Sequence, residues 1–492
     1  MLNYKELPKG VFNINLVQIF STTGFAVLLG LLNFYLYRHG LSHTEANTLT
    51  ASFFALNFLF HMLAGTIGGR YLSFRALFLI SLLLQVIGLF LIAFHTHSII
   101  LIGMAVFITG SGLNVSCINM MLTQLFSQDD KRRRIAFSIN YSFMNIGFVL
   151  SFVIAGILQS YNLYSPAFIF AAVCIIISML IHLKNWQYVA DKGTLFASHA
   201  STSSGQYYKS AGIISACLIF AFFLMHYPRL ASALIYIVFF IVIAFILRMA
   251  ASQESHYRNK IYTYLVLSMA SMIFACVQGL QSTALENFVE FNTTKSLFGI
   301  PMQPATVNLF ESLGVILFGF TLASAMKKRQ EMQRPYSPRY LVTKGLSLYV
   351  IAFLTIPFGI WISGTTQAIN VLFPILLLVI VAAGEIHVNA VNYAMAGEMM
   401  KPEHQGLFTG YLFMNVAFGT NLAGPISNFA LSNTTIAAAL SPASTNPMYS
   451  KIFLTMAIAV TIITIGFFFM LSRIKNLIDT KKVEVVLESE LE

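Results

Sequence analysis

Residues 230–247 read LASALIYIVFFIVIAFIL, a continuous apolar stretch without a charged side chain. A helix of about 20 apolar residues crosses the hydrocarbon core of a bilayer, so this stretch predicts a membrane span. Thirteen further runs predict thirteen more spans, and their continuity favours helices over the alternating strands of a membrane barrel. The fourteen predicted spans lie near residues 11–37, 51–69, 76–99, 101–126, 135–161, 165–183, 211–225, 230–247, 262–285, 307–325, 346–362, 367–395, 406–432 and 452–471.

The composition of the whole chain agrees with this prediction. Of 492 residues, 57% are hydrophobic and only 10% are charged, and the mean hydropathy is +0.75. A typical soluble domain carries about 25% charged residues. Too few polar side chains remain here to coat a water-soluble protein. The composition therefore excludes a soluble enzyme, a secreted disulfide module and a disordered scaffold.

The basic residues predict the orientation in the membrane. With a cytoplasmic N-terminus and alternating spans, 25 of the 29 lysines and arginines fall on the cytoplasmic side and 4 fall outside. This bias follows the positive-inside rule and predicts an inner (plasma) membrane protein with both termini in the cytoplasm. The run KRRR at 131–134 is then a cytoplasmic anchor, and no nucleic-acid partner is expected. The four outer residues are Arg38, Arg229, Lys295 and Lys451.

The order of the spans indicates two bundles. Six spans are followed by a polar stretch with linker composition, then by two spans, then by six more. This is the outline of the major facilitator architecture. The two spans inserted between the groups of six have few polar residues, so they are expected to be peripheral. We therefore predict an all-α polytopic membrane protein of the major facilitator fold. Its parts are an N-terminal six-helix bundle at 1–184, a linker with an inserted helix pair at 185–255, a C-terminal six-helix bundle at 256–478 and a cytoplasmic tail at 479–492.

Sequence motifs of common catalytic sites are missing. The chain contains no G-x-x-x-x-G-K-[ST] phosphate loop, no H-E-x-x-H and no G-x-S-x-G. The four cysteines lie far apart within apolar runs, which is typical of small core residues. No cofactor and no metal are expected, and translocation of a solute is favoured over covalent chemistry.

A few ionisable residues fall within the predicted spans. Glu385 is central in its span, Glu311 lies early in another, and Glu286 and Glu290 lie at the end of a third. Ionisable groups at membrane depth are costly and usually face a cavity. No lysine or arginine lies clearly inside a span, and burial without a counter-charge favours the neutral form of a carboxyl. Such a carboxyl suits proton-coupled transport; the alternative is a neutral glutamate that is hydrogen-bonded for structure.

Histidines and neutral polar residues add to this pattern. His387 is two residues from Glu385 and should point from a different helix face, whereas His61 is expected to be a packed, hydrogen-bonded histidine. The neutral polar residues predict one wet cavity, with interhelical hydrogen bonding as the alternative. They are Asn114, Ser116, Asn119, Gln124, Asn140, Asn145, Gln278, Gln281, Asn389, Asn392, Asn415 and Asn421.

Five short motifs occur in a fixed order: GSGL at 110–113, YSFMNIG at 141–147, a loop and helix start at 298–312, GEI at 384–386, and the helix 406–424. In order and spacing they resemble the proton-dependent oligopeptide transporters, a branch of the major facilitator superfamily. The resemblance extends over most of the chain. It implies fourteen helices, with two inserted between the bundles, and proton-coupled uptake of peptides.

The departures from this family concern charge. The family's first-helix signature is E-x-x-E-R-F, and its charged residues are missing here. The family's fourth-helix lysine position is Val115, and an eighth-helix asparagine position is Glu311. The resemblance implies that the lost arginine and lysine would hold a peptide carboxylate, and that Glu385 would hold the peptide amine. We therefore expect a free carboxylate on the substrate to add little affinity. The first-helix positions are Gln18, Ser21, Thr22 and Thr23.

These observations predict a secondary active transporter that takes up di- or tripeptides, or a related amine-bearing solute, with protons by alternating access. Its expected partners are that small-molecule substrate, protons and the lipid bilayer. Two alternatives remain: a major facilitator transporter of a non-peptide solute, and a non-transporting receptor that kept the fold. The candidate residues for substrate binding or proton coupling are Glu385, Glu311, Asn145, Gln278, Gln281 and Glu286.

Overall fold

The computed structural model describes residues 7–94, 96–127, 130, 132–192, 194–198, 204–334, 336–401, 404–431 and 440–478. This part of the chain is almost entirely helical. Its elements are α1 (Val11–Arg38), α2 (His43–Ile67), α3 (Phe74–Ile92), α4 (His97–Gln124), α5 (Arg132–Ser160), α6 (Tyr164–Lys184), α7 (Leu195–Ser198), α8 (Ser204–His226), α9 (Pro228–Ala251), α10 (Ser255–Leu280), α11 (Glu286–Asn292), β1 (Ser296–Leu297), β2 (Ile300–Pro301), α12 (Pro304–Glu331), α13 (Pro338–Ser363), α14 (Leu372–Met399), α15 (Gln405–Leu431) and α16 (Pro442–Ile478).

The predicted count of fourteen long helices is confirmed, because a π-helical turn at Gln281–Leu285 joins α10 to α11 in one span. Within the described residues, twelve of these helices are long and apolar enough to cross a membrane. The other two, α2 and α15, face each other and carry polar residues at their contact. Asn47 donates to Asn428 Oδ1 at 3.3 Å, and Asn428 donates to Thr48 Oγ1 at 2.9 Å.

The apolar core has two main parts. One is built mostly by α1–α6 and α8, and the other mostly by α9–α16. We call α1–α6 the N-terminal bundle and α10–α16 the C-terminal bundle; the predicted boundaries at residues 184, 255 and 478 stay proposals. Small residues permit close helix packing, as where a Cβ on Gly110 would lie 2.6 Å from Ser81 O. The tail 479–492 lies outside the described residues.

The two bundles contact each other along α2 and α15, where Gly424 faces Ala51 and Gly410 faces Met62, and also at one end of the molecule. We call the end that carries Arg70, Arg132 and Lys401 the basic end, and the end that carries Arg38 and Lys295 the opposite end. At the opposite end, α2 meets α11, because Asn287 of α11 donates to Asn47 Oδ1 at 3.0 Å. On another side α5 meets α12, where Gln159 Oε1 accepts from Ala305 N at 3.2 Å. The opposite end is therefore closed by direct contacts between the bundles.

The inserted helices α8 and α9 lie at the periphery. Only 22% of an 18-residue apolar stretch in each of them is buried. They nevertheless contact both bundles, because α9 packs against α2 and α15. Ser232 of α9 donates to Asn421 Oδ1 of α15 at 3.0 Å. The same hydroxyl lies 3.0 Å from Ser52 Oγ of α2. The pair thus bridges the bundles on the face formed by α2 and α15.

The first part of the predicted linker is folded against the basic end. Asp191 accepts two hydrogen bonds from Phe74 N, at 2.9 and 3.2 Å, where α3 begins. Phe196 N donates to Gly69 O in the loop between α2 and α3 at 2.8 Å. Arg75 donates to Trp186 O at 2.9 Å. These contacts attach the linker to the N-terminal bundle.

We predict that Asp191→Ala destabilises the N-terminal bundle. An unpaired backbone N–H at a helix start costs about 1–3 kcal/mol when its charged acceptor is removed. Thermal unfolding in detergent should show a midpoint several degrees lower than that of the unmodified chain. Asp130→Ala is the matched control, because Asp130 makes the same kind of bond to the N–H of Arg132 where α5 begins, but that bond is exposed and water can replace it. Equal midpoints for the two variants would contradict the structural role of Asp191.

Candidate functional site

Glu385 lies in the middle of α14 and is 6% exposed. Its Oε1 accepts a hydrogen bond from the Tyr141 hydroxyl at 2.7 Å and another from Asn389 Nδ2 at 3.3 Å. Gly384 beside it permits a close approach of α13, since a Cβ there would lie 2.6 Å from Cε1 of Tyr349. The carboxyl of Glu385 is therefore held by two hydrogen bonds where α13 packs closely against α14.

Tyr141 joins the two bundles through this carboxyl. It lies on α5 of the N-terminal bundle, whereas Glu385 lies on α14 of the C-terminal bundle. Asn145, one turn further along α5, donates to Tyr141 O at 2.9 Å. A change of charge at Glu385 therefore acts directly on a hydrogen bond between the bundles.

A cleft of about 70 Å³ lies beside this contact, between α5 and α12. It occupies the half of both helices that is nearer to the basic end, whereas the same helices touch near the opposite end. Pockets that hold drug-sized solutes are about 300–1,000 Å³, so a solute with several heavy atoms requires the cleft to widen. The lining residues are Ser138, Tyr141, Ser142, Asn145, Val315, Ile316, Gly319, Phe320 and Ala323.

Glu311 of α12 is a second buried acid near the first. It is 7% exposed, lies within electrostatic reach of Glu385 and lies beside Gln281. The helices α12 and α14 approach closely here, since a Cβ on Gly314 would lie 2.8 Å from Cβ of Ala382. Among the described residues, no lysine or arginine interacts with either carboxyl. The site is therefore acidic and has no fixed counter-charge.

The structure brings together four of the six predicted site residues, namely Glu385, Glu311, Asn145 and Gln281. Glu286 lies apart from them, in α11 near the opposite end, where Asn308 Nδ2 donates to its Oε1 at 3.3 Å. Gln278 is half-buried on α10, about one turn before Gln281. The roles of all six residues stay predictions.

Three expectations about other polar residues can be compared with the structure. His61 is buried with Nδ1 2.9 Å from Gly112 O, which confirms a packed histidine. His387 Nδ1 lies 2.6 Å from Ala383 O and does not join Glu385. Several asparagines join helices instead of facing a cavity: Asn140 donates to Asn15 Oδ1 at 2.9 Å and Asn415 to Ser268 O at 3.3 Å. The side chain of Asn392 lies outside the described residues.

The first-helix positions that have lost their charges bond within α1. Gln18 Nε2 donates to Thr22 Oγ1 at 2.9 Å, and both residues are buried. Thr23 Oγ1 donates to Gly147 O of α5 at 3.2 Å. A Cβ on Gly147 would lie 2.6 Å from Ile19 O, so the two helices are in close contact. This part of α1 is a neutral, packed surface.

Two residues of the site, Tyr141 and Tyr349, were not among the predicted site residues. Tyr141 appeared only as part of a motif, and its position four residues before Asn145 was the one signal that both face the same side of a helix. Tyr349 gave no signal at all. Its hydroxyl is fully buried, lies within electrostatic reach of both acids and has no hydrogen-bond partner among the described residues.

Sequence comparison supports one family. A sequence model described as PTR2, POT family, matches residues 74–444. Dipeptide and tripeptide permease A from Pectobacterium carotovorum subsp. carotovorum is 23% identical over 467 residues, which cover 94% of this chain and 91% of the relative. The protein of that name from Erwinia pyrifoliae is 24% identical over 430 residues, which cover 87% of each chain.

Solved structures share the fold. A crystal structure of a peptide transporter in complex with alafosfalin matches with a TM-score of 0.83 and 19% identity, over 97% of both chains. A POT family transporter in complex with 5-aminolevulinic acid matches with a TM-score of 0.82 and 18% identity, over 96% of this chain and 98% of the other.

Proposed function

The chain belongs to the POT family of multi-pass membrane transporters, and from this premise we propose that it couples proton movement to the uptake of di- or tripeptides, or of a related amine-bearing solute. It would work by alternating access, in which the two bundles rock around a central site. The observation that carries the proposal is the Tyr141–Glu385 hydrogen bond, because it places a buried carboxyl at a contact between the bundles.

The chemistry of Glu385 supports binding of an amine in exchange for a proton. Burial without a counter-charge favours the neutral carboxyl, and an incoming ammonium group favours the carboxylate. The two ligands therefore compete for one group. Tyr141 can donate to either form through its hydroxyl, and Asn389 adds a second donor to the carboxylate.

The contacts between α5 and its neighbours support a coupling between this exchange and the movement of the bundles. Near the basic end a cleft separates α5 from α12, and near the opposite end the two helices touch. If the bundles rock, the Tyr141–Glu385 bond must lengthen or re-form. Occupation of Glu385 by a proton or an ammonium group then shifts the equilibrium between the two arrangements.

The relatives support the substrate class. The matched permeases are named for dipeptides and tripeptides, and one matched structure holds 5-aminolevulinic acid, an amine-bearing acid by its name. A second candidate, a transporter of a non-peptide amine, is favoured by one observation. The first-helix positions Gln18 and Thr22 bond to each other and offer no cation to a peptide carboxylate.

Uptake of a labelled dipeptide into proteoliposomes tests the proposal. An inward proton gradient should accelerate uptake, and an ionophore that dissipates the gradient should remove the acceleration. Saturable binding without flux would favour the receptor alternative, and neither binding nor flux would favour the non-peptide solute.

We also propose that the protein lies in the plasma membrane with both termini and the basic end in the cytoplasm, as the 25-to-4 distribution of basic residues supports. Arg133→Cys in intact cells should then be protected from a membrane-impermeant thiol reagent, because position 133 lies within the KRRR anchor. Lys295→Cys, on the opposite end, should react. The reverse pattern would invert the orientation.

A further inference from the structure

The acidic site contains one more carboxyl than a single ammonium group requires. Glu385 and Glu311 are both more than nine-tenths buried and lie within electrostatic reach of each other. Among the described residues, no basic side chain interacts with them. A solute with one ammonium group would compensate one of the two acids and leave the other to a proton.

Unused hydrogen-bonding atoms indicate that the second acid also faces a ligand. Glu311 Oε1 is buried and has no partner among the described residues, and the amide nitrogen of Gln281 beside it is likewise unpartnered. The Tyr349 hydroxyl, on a third helix, is also buried and unpartnered and lies near both acids. Buried polar groups normally find a partner, so these atoms point to a polar ligand that reaches them when the close contacts of α14 with α12 and α13 open. An ammonium group can donate to both oxygens.

Charge balance narrows the kind of ligand. A charge buried without compensation costs several kcal/mol, so the occupied site should be close to neutral. Two protons, one ammonium group with one proton, or two ammonium groups each achieve this. A free carboxylate on the solute would add a third negative group to a site without a cation, which is unfavourable.

We propose that this site binds solutes with two cationic amines and no free carboxylate, such as linear diamines or carboxyl-amidated dibasic peptides, with one ammonium group on Glu385 and the other on Glu311. The proposal rests on the proposed amine site at Glu385. The other titratable groups around the pair are Tyr141 on α5, Tyr349 on α13, and His387, whose Nδ1 meets Ala383 O.

Calorimetric binding to the purified full chain at pH 6 tests this with four probes of matched length. They are a linear diamine, the corresponding monoamine, the corresponding amino acid and the amide of that amino acid. We expect the diamine to bind at least about tenfold more tightly than the monoamine, which is about 1.4 kcal/mol. It should also release about two protons where the monoamine releases about one. The amino acid should bind more weakly than its amide.

Variants separate this inference from the proposed function. Glu311→Gln should reduce the affinity advantage of the diamine over the monoamine to within about twofold, whereas Glu385→Gln should weaken binding of both amines. Glu331→Gln, at the exposed end of α12, is the control. Equal diamine and monoamine affinities in the unmodified chain would overturn the two-amine site. This comparison does not depend on whether a variant folds, because it uses only the unmodified chain. If the amines bind the unmodified chain and Glu385→Gln changes none of their affinities, the proposed function fails as well.

Discussion

Glu385→Gln should abolish proton-driven uptake, with an initial rate at least about a hundredfold below that of the unmodified chain. A buried group that loses its charged partner costs about 2–5 kcal/mol, and a hundredfold corresponds to about 2.7 kcal/mol. The amide is close in size to the carboxyl and can still accept from Tyr141, so the fold should persist. It cannot exchange a proton for an ammonium group, because it does not ionise. Uptake into proteoliposomes with an imposed pH gradient measures the effect.

Glu331→Gln is the matched control for this variant, because the Glu331 carboxyl is exposed at the last residue of α12. It should transport at the rate of the unmodified chain. Size-exclusion profiles of both variants establish that they are folded. If Glu385→Gln still responds to the pH gradient as the unmodified chain does, the proton site lies elsewhere, and Glu286 becomes the next candidate.

Gly156→Leu should stop transport by preventing closure of the opposite end. Gly156 lies on α5 where it meets Thr306 of α12, and a Cβ there would already collide with the Thr306 side chain and lie 3.2 Å from its backbone nitrogen. Overpacking a tight contact costs about 1–3 kcal/mol, which is enough to favour an arrangement with the bundles apart at this end. Uptake should fall to the background of empty liposomes.

A labelling experiment distinguishes bundles held apart by the leucine at position 156 from simple misfolding. Asn287→Cys, now buried at the contact with Asn47, should react with an impermeant thiol reagent much faster when combined with Gly156→Leu. Gly466→Leu on α16 is the control, because a Cβ there meets no atom within 4 Å. Normal uptake by Gly156→Leu would show that this contact does not open during transport.

The fold was largely predictable because its signals are local. A bilayer requires each span to be a continuous apolar segment with internally bonded backbone, so fourteen such segments indicate fourteen helices without knowledge of their packing. The acids Glu385 and Glu311 stood out for the same reason, since charged residues are rare at that depth. Asn145 lies in the YSFMNIG motif, whereas Gln281 was only one of two glutamines in its span, so their grouping with the acids was not predicted.

The remaining contacts depend on packing between distant segments. Tyr141 and Glu385 are 244 residues apart and lie in different bundles, so no periodicity relates them. The separation of Glu286 from the other acids is seen only in the fold, where Glu286 lies in α11 after the π-helical turn and accepts from Asn308. The attachment of Asp191 to the start of α3 is equally hidden, because a polar segment with linker composition gives no indication of what it folds against.

The most direct test of the central claim is the number of protons released when an amine-bearing solute binds. Calorimetry at pH 6 in two buffers of different ionisation enthalpy gives this number for the unmodified chain and for Glu385→Gln. The account predicts about one proton released per monoamine bound by the unmodified chain, and none by the variant, because the ammonium group displaces the proton of Glu385. Tight amine binding to the unmodified chain with no proton released would contradict it.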